Sequence, residues 1–184
     1  MLELDLSTFP ELTTERLHLR ELRMDDAPAL FALRTDERVM RFIGRTRPAS
    51  ITDVEQLIGT IQADRAANAG ISWALTFAGN DGLIGTIGFY RLQLAHYRAE
   101  VGYLLHPDHW GQGLMGEALE AVMGVAFARF RFHSIEARTD PENGASNRLL
   151  ERQGFLQEGL LRESYFHQGR FQDTAIWSRL APMR

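Results

Sequence analysis

The 184-residue sequence contains no cysteine. A disulfide framework, a thiolate zinc site and a cysteine nucleophile are thereby excluded, and any thiol in its chemistry must arrive on a ligand. An excess of positive charge is missing too: 20 Lys and Arg stand against 24 Asp and Glu, a formal net charge of -4. That balance argues against a general nucleic-acid binder, whose affinity comes from neutralising phosphates, and makes a cationic substrate the slightly better match. No apolar run is long enough to span a bilayer, and Met1, Leu2, Glu3, Leu4 and Asp5 place acids where a secretory signal needs a basic region. The sequence reads as cytoplasmic, with neither nucleic acid nor membrane as partner. Repeats and low-complexity linkers are also absent. What remains is 45% hydrophobic and 24% charged, proportions at which one compact domain folds without metal or disulfide. Residues 1–184 are expected to form a single domain with its core over about 14–180.

Leu17 and Leu19 alternate with Arg16, His18 and Arg20, the period of a half-buried strand. Helices are expected around 27–33 and from 53 to about 67, the second with Thr52 as cap and Glu55 three residues later. Segments 71–78 and 83–92 read as a hairpin joined by Gly79, Asn80, Asp81 and Gly82. Within 98–105, alternation sets Ala99, Val101, Tyr103 and Leu105 on one face and Glu100, Gly102 and Leu104 on the other. Glu100 therefore points away from Tyr103. The longest helix spans about 114–130, where Met115, Ala118, Leu119, Val122, Met123 and Ala126 form an apolar face. A strand at 134–139, a helix from about 145 to 153 ended by Gly154, and strands near 155–160 and 171–180 complete the chain. Hairpins early and one strand–helix–strand unit late predict an α+β fold in three α/β/α layers, built on a mixed, mostly antiparallel sheet of six to seven strands. Trp73, Phe89, Tyr90, Tyr97 and Trp177 fit sheet faces as core, and His167 a surface turn.

Gly111, Gln112, Gly113, Leu114, Met115 and Gly116 follow a strand and open the long helix. Their N–H groups lie at the positive end of a helix dipole, where anions bind, and glycine lets a phosphate approach a backbone without a Cβ between them. The segment also satisfies the dinucleotide fingerprint G-x-G-x-x-G, with Glu136 about where a ribose acid belongs. In that fold, however, the glycines follow the strand almost directly. Here His106, Pro107, Asp108, His109 and Trp110 intervene, and one parallel crossover follows, so a nicotinamide-dependent oxidoreductase ranks below a CoA-type ligand. His106 and His109 lie three apart but flank Pro107 in a loop without a third ligand, and no metal site is expected.

From Trp110 to Ala118, and again at Asn143, Ser146, Glu151, Gly154 and Phe155, the chain resembles the acetyl-CoA-dependent N-acetyltransferases of the GNAT superfamily. Thr14, Glu15, Arg16, Leu17, Leu19 and Arg20 at the start, and Gly169, Phe171 and Asp173 near the end, resemble the branch of ribosomal-protein N-terminal acetyltransferases. The resemblance implies a V-shaped opening between the strands at 98–105 and 134–139. It implies acetyl-CoA as cosubstrate, its arm against the backbones of Leu104 and Leu105 and its pyrophosphate within Gln112, Gly113, Leu114, Met115, Gly116 and Glu117. Asn143 would reach the arm from the other side. The partner is an amine acceptor, a protein N-terminus or a small molecule, and a homodimer is compatible with the chain. Trp110 and Met115 depart from the commonest residues of the motif. A larger departure is Leu150, at the position where many relatives carry a tyrosine that protonates the leaving thiolate.

Direct acyl transfer needs a neutral amine, a polarised thioester carbonyl and stabilisation of the departing thiolate. Since Leu150 cannot supply a proton, Ser146, one turn earlier, is the candidate for a hydrogen bond to sulfur, although an N-cap or first-turn role suits it equally. Glu100 is the candidate base, against the alternative of a solvated strand residue. A CoA-binding module without transfer activity stays open on the missing tyrosine. The acceptor pocket is expected from the segments near 34–47 and 165–171.

Overall fold

The computed structural model describes residues 2–167 and 169–182. Its sheet has eight strands among these residues: β1 (Leu12–Thr13), β2 (Leu17–Glu21), β3 (Ile71–Phe77), β4 (Gly85–Gln93), β5 (Arg98–Leu105), β6 (Ser134–Thr139), β7 (Leu156–His167) and β8 (Arg170–Leu180). The spatial order is β1-β2-β3-β4-β5-β6-β8-β7, antiparallel throughout except for the β5–β6 pair. The strand beyond the expected six to seven is the two-residue β1, too short to show a period. Five α-helices accompany the sheet among the described residues: α1 (Ala27–Thr35), α2 (Glu37–Met40), α3 (Ile51–Ala66), α4 (Leu114–Ala128) and α5 (Gly144–Arg152).

The period-2 pattern gives each sheet face its own core. On one, Leu17, Leu19, Trp73, Leu75, Ile87, Phe89 and Val101 meet the apolar stripe of α4 and Leu150 of α5. On the other, Leu22 and Ala74 meet Leu30, Leu33, Val54 and Ile58 of α1 and α3, with Leu104 packed alongside. Helix α4 connects β5 to β6, the long crossover that a parallel pair requires.

Several local expectations change. Helix α3 begins earlier than expected because Ser50, not Thr52, caps it: its Oγ accepts the Asp53 N–H while the Asp53 carboxylate accepts the Ser50 N–H. The last hairpin is longer, since β7 reaches His167 and β8 begins at Arg170, so His167 ends a strand. Tyr97 leaves the sheet for a left-handed turn position at φ 55° and is exposed, whereas Trp73, Phe89 and Trp177 are buried as their strand positions suggest.

Candidate functional site

Strands β5 and β6 begin as a parallel pair and then part. Their ladder comprises Arg98 with Ser134, Ala99 with Ile135 and Glu100 with Glu136, and beyond Glu100 the backbone of β5 bonds to β4 alone. The edge of β5 from Val101 to Leu105 thus faces a wedge whose root is held by the Arg98–Glu136 ion pair. A cavity of about 960 Å³ runs through the wedge from the α4–α5 side of the sheet to the α1–α3 side. Its size lies at the upper end of the range for small-molecule sites. Leu104 and Leu105, expected along the cosubstrate arm, line it, and the Trp110 indole N–H donates to the Leu105 carbonyl at 2.8 Å, closing the loop that follows β5.

One end of the cavity is the glycine turn. Gly111 and Gly113 take φ 73° and 78°, a region that side chains with a Cβ enter only with strain, and Gly113 serves as N-cap of α4. The first helical bond of α4 runs from the Glu117 N–H to the Gly113 carbonyl at 3.1 Å. The N–H groups of Leu114, Met115 and Gly116 therefore have no acceptor within the helix and sit beside the cavity that these residues line. Gln112 and Glu117 sit differently. The Gln112 side chain donates to the Asp108 carbonyl at 2.9 Å, stapling the loop to itself. The Glu117 carboxylate turns to the β1–β2 segment, accepting from the Thr14 hydroxyl at 2.5 Å, the Arg16 N–H at 2.9 Å and Arg16 Nε at 2.7 Å. Burial alone would push this carboxyl up, but those donors hold it below the ordinary glutamate value. Arg16 in turn donates to the Gln112 carbonyl at 2.9 Å, so a Thr14–Glu117–Arg16 network clamps the turn from outside.

Across the wedge, α5 begins at its N-cap Asn143, whose Oδ1 accepts the Ser146 N–H at 3.2 Å. Ser146 is thus the capped first-turn residue, and its hydroxyl remains available. It lies 2.6 Å from the Tyr103 hydroxyl of β5, and both residues line the cavity. Burial pushes the Tyr103 phenol up to about 12, against a smaller opposing effect of the Ser146 hydrogen bond. Leu150 is fully buried in the core beneath. Arg148 and Arg152, also of α5, line the cavity too.

The α1–α3 end is walled by Arg34, Arg38, Phe42, Ile43 and Arg45. Of the 165–171 segment expected there, Tyr165 packs beside this wall, a Cβ on Gly44 coming within 2.8 Å of its ring, but none of the segment's described residues lines the cavity. Tyr90, expected as core, lines the cavity instead, with its hydroxyl against Gly102, where a Cβ would collide with it. Glu100 is placed away from the lining. Only 7% exposed, it is clasped by Arg91 at 2.8 Å and Arg138 at 3.3 Å. The structure therefore brings Leu104, Leu105, Gly113, Leu114, Met115, Gly116, Asn143 and Ser146 around one cavity, and sets Gln112, Glu117 and Glu100 behind it. Among the described residues no group of three or more His, Asp or Glu is placed to hold a metal, and no helix is long and apolar enough to cross a membrane. Tyr103 and Arg16 escape sequence reading because alternation gives a side chain its face of the sheet, not the helix or loop packed on that face.

A family model described as an acetyltransferase (GNAT) domain matches residues 16–156. The uncharacterized N-acetyltransferase YoaA of Bacillus subtilis is 37% identical over 95% of this chain and 98% of its own length. Among solved structures, the ribosomal L7/L12 alpha-N-protein acetyltransferase RimL in complex with coenzyme A superimposes with a TM-score of 0.86 at 20% identity, covering 94% of this chain and 98% of its own. The spermidine N-acetyltransferase of Vibrio cholerae, in complex with CoA and spermine, gives 0.81 at 25% identity, covering 91% of this chain and 96% of its own.

Proposed function

The chain belongs to the GNAT acetyltransferase family and is an acetyl-CoA-dependent N-acetyltransferase, and on that premise we propose that it acetylates the α-amino group of a peptide or protein by direct attack in a ternary complex. The observation that carries this reading is the wedge between β5 and β6, which joins a phosphate-binding turn on one side of the sheet to an open acceptor mouth on the other through a single cavity. The residues fit the cosubstrate. Free N–H groups from Leu114 to Gly116 and the guanidinium groups of Arg148 and Arg152 suit phosphates, and the unpaired edge of β5 suits the amides of the pantetheine arm.

When bound, acetyl-CoA supplies an acetyl group activated as a thioester. Tyr103 and Ser146 share a hydroxyl pair that offers a proton for hydrogen bonding at the departing sulfur, the duty that Leu150 cannot perform. With its phenol near 12, Tyr103 keeps its proton at every physiological pH, and against a thiol near ~8.5 it acts as a hydrogen-bond donor, not as a full proton donor. Glu100 is bound to two arginines, which supports a positioning role at the root of the wedge over the role of base. An α-amine with a pKa near ~8 is neutral for roughly a tenth of the time at pH 7, whereas a lysine amine near ~10.4 is neutral for less than about a thousandth. The positively charged mouth lowers an amine's proton affinity further.

RimL, by its name, acts on a protein N-terminus, and the Vibrio enzyme on spermidine. The two classes are separable by turnover. The protein is incubated with acetyl-CoA and a peptide with a free N-terminus, the same peptide Nα-blocked but carrying lysine, or spermidine. Released CoA is read with a thiol reagent, free of background because the chain has no cysteine. We expect the free N-terminus to lead by at least about tenfold, in line with the neutral fractions. Equal rates on the blocked peptide or on spermidine would overturn the α-amine assignment, and CoA binding without thiol release on any acceptor would favour a binding module.

A further inference from the structure

The acceptor mouth carries charge of the opposite sign to the molecule. Against a formal net charge of -4, its wall presents Arg34, Arg38, Arg41 and Arg45. Arg38 is paired with Asp36 at 2.6 Å. Arg34, Arg41 and Arg45 have no carboxylate partner among the described residues. Arg41 lies over the Phe42 ring at 5.0 Å and Arg45 over the Tyr90 ring at 5.7 Å. The acids lining the cavity are Asp64 of α3 and Asp140, whose Oδ1 already accepts the Glu142 N–H at 2.8 Å.

Arg34 and Arg45 also repel each other. Burial, and then the neighbouring charge of Arg45, lower the proton affinity of the half-buried Arg34. Arg34 is half-buried without a counter-ion and has the exposed Arg45 as a neighbouring like charge, and an anion bound by both relieves that cost. Their position fixes where the anion belongs. Arg45 stacks on Tyr90, and the Tyr90 hydroxyl touches Gly102 of β5, two residues past the last β5–β6 pair. The guanidinium therefore stands one aromatic side chain from the wedge, within reach of the second or third residue of an extended peptide, whose backbone advances about 3.5 Å per residue.

We infer that the acceptor is acidic: a peptide whose second or third residue carries a carboxylate, bound by Arg34 and Arg45 while its α-amine enters the wedge. This rests on the peptide reading above and reverses the preference that overall charge suggests. A polyamine, cationic along its whole length, meets repulsion at the same wall.

Three tetrapeptides with a free N-terminal alanine, differing only in two aspartates, two glutamines or two lysines at the second and third positions, test the inference. Two quantities are measured: kcat/KM with acetyl-CoA, and the Kd of the labelled peptides for the CoA-bound protein by fluorescence anisotropy. The aspartate peptide is expected to exceed the lysine peptide at least tenfold in both, with the ratio shrinking as salt rises. In R34Q/R45Q the ratio collapses toward one, and R45K restores part of the preference that R45Q loses. A CoA-induced rise in Tm confirms that each variant is folded. Equal or better performance of the lysine peptide or spermidine overturns the inference, as does an aspartate preference that survives in R34Q/R45Q. If no peptide is acetylated, the transfer reading fails separately, and the binding ratio alone then decides the charge preference.

Discussion

Tyr103 shows how one residue acquires chemistry from its neighbours. Strand alternation sends it to the α5 side of the sheet, and the Asn143 cap fixes the first turn of α5 so that Ser146 meets its hydroxyl at 2.6 Å. Replacing Tyr103 by Phe is expected to lower kcat by about 10–100-fold with little change in the KM for acetyl-CoA if, as proposed, the hydroxyl serves the departing sulfur and not the phosphates. Y103F/S146A should be little worse than Y103F, since the pair acts as a unit, and steady-state kinetics decide this directly. The raised phenol gives a second readout. A folded-state value of about 12, above the ordinary 10, favours the protonated native state, a contribution complete below pH 10 and lost as pH rises toward 12. Chemical denaturation of Y103F across that window should show a shallower loss than the unsubstituted protein. Additive effects of the two substitutions on kcat would show that the hydroxyls act separately.

At the scale of the element, α4 is at once a core helix and a wall of the cavity, and the two duties are decided by different residues. Its apolar stripe buries Ala118, Leu119, Val122 and Met123 completely and anchors the helix on the sheet. Its N-terminus depends instead on Gly113 in the left-handed region and on the clamp of Arg16 and Glu117. Gly113→Ala forces a Cβ into that region and should cost about 1–2 kcal/mol of stability. Glu117→Gln keeps the shape but weakens a pair whose Arg16 side chain is 44% exposed, so stability should change by less than about 1 kcal/mol. Both variants are expected to weaken CoA binding by about tenfold, a loss of about 1.4 kcal/mol, because the turn is no longer held in the form that presents its N–H groups. Calorimetric titration with CoA checks this. An unchanged Kd in E117Q would mean that the clamp is a surface ion pair without consequence for the turn.

For the whole molecule, the decisive feature is that the sheet is split between β5 and β6 beyond Glu100. On one side of the wedge β4 and β5 pair antiparallel, and on the other β6, β8 and β7 do, with three residue pairs of β5–β6 joining the two halves. A ligand filling the wedge contacts both halves and stabilises the native state. At a concentration of 100 times its Kd, CoA should add about 2.7 kcal/mol, which for a chain of this size raises Tm by roughly 5–10 °C. A nicotinamide dinucleotide at equal concentration should produce no comparable rise, and thermal melts with each ligand test the point. Much of this architecture was legible in the sequence: the alternation of β2 and β5, the apolar stripe of α4 and the glycine turn are local patterns with fixed periods, and a period of 2 or 3.6 specifies a face without reference to the rest of the chain. Glycine spacing likewise marked the turn from Gly113 to Gly116 that lines the cavity, because a left-handed N-cap is a backbone requirement of the residues themselves. What only the tertiary structure decided is which side chains meet across elements. Glu117 turned to Arg16, Glu100 was taken by Arg91 and Arg138, Tyr103 found Ser146, and unpaired arginines gathered on one wall of an acidic protein. Those contacts join residues up to 101 positions apart, and electrostatic partnership depends on distance in space, which no local period encodes.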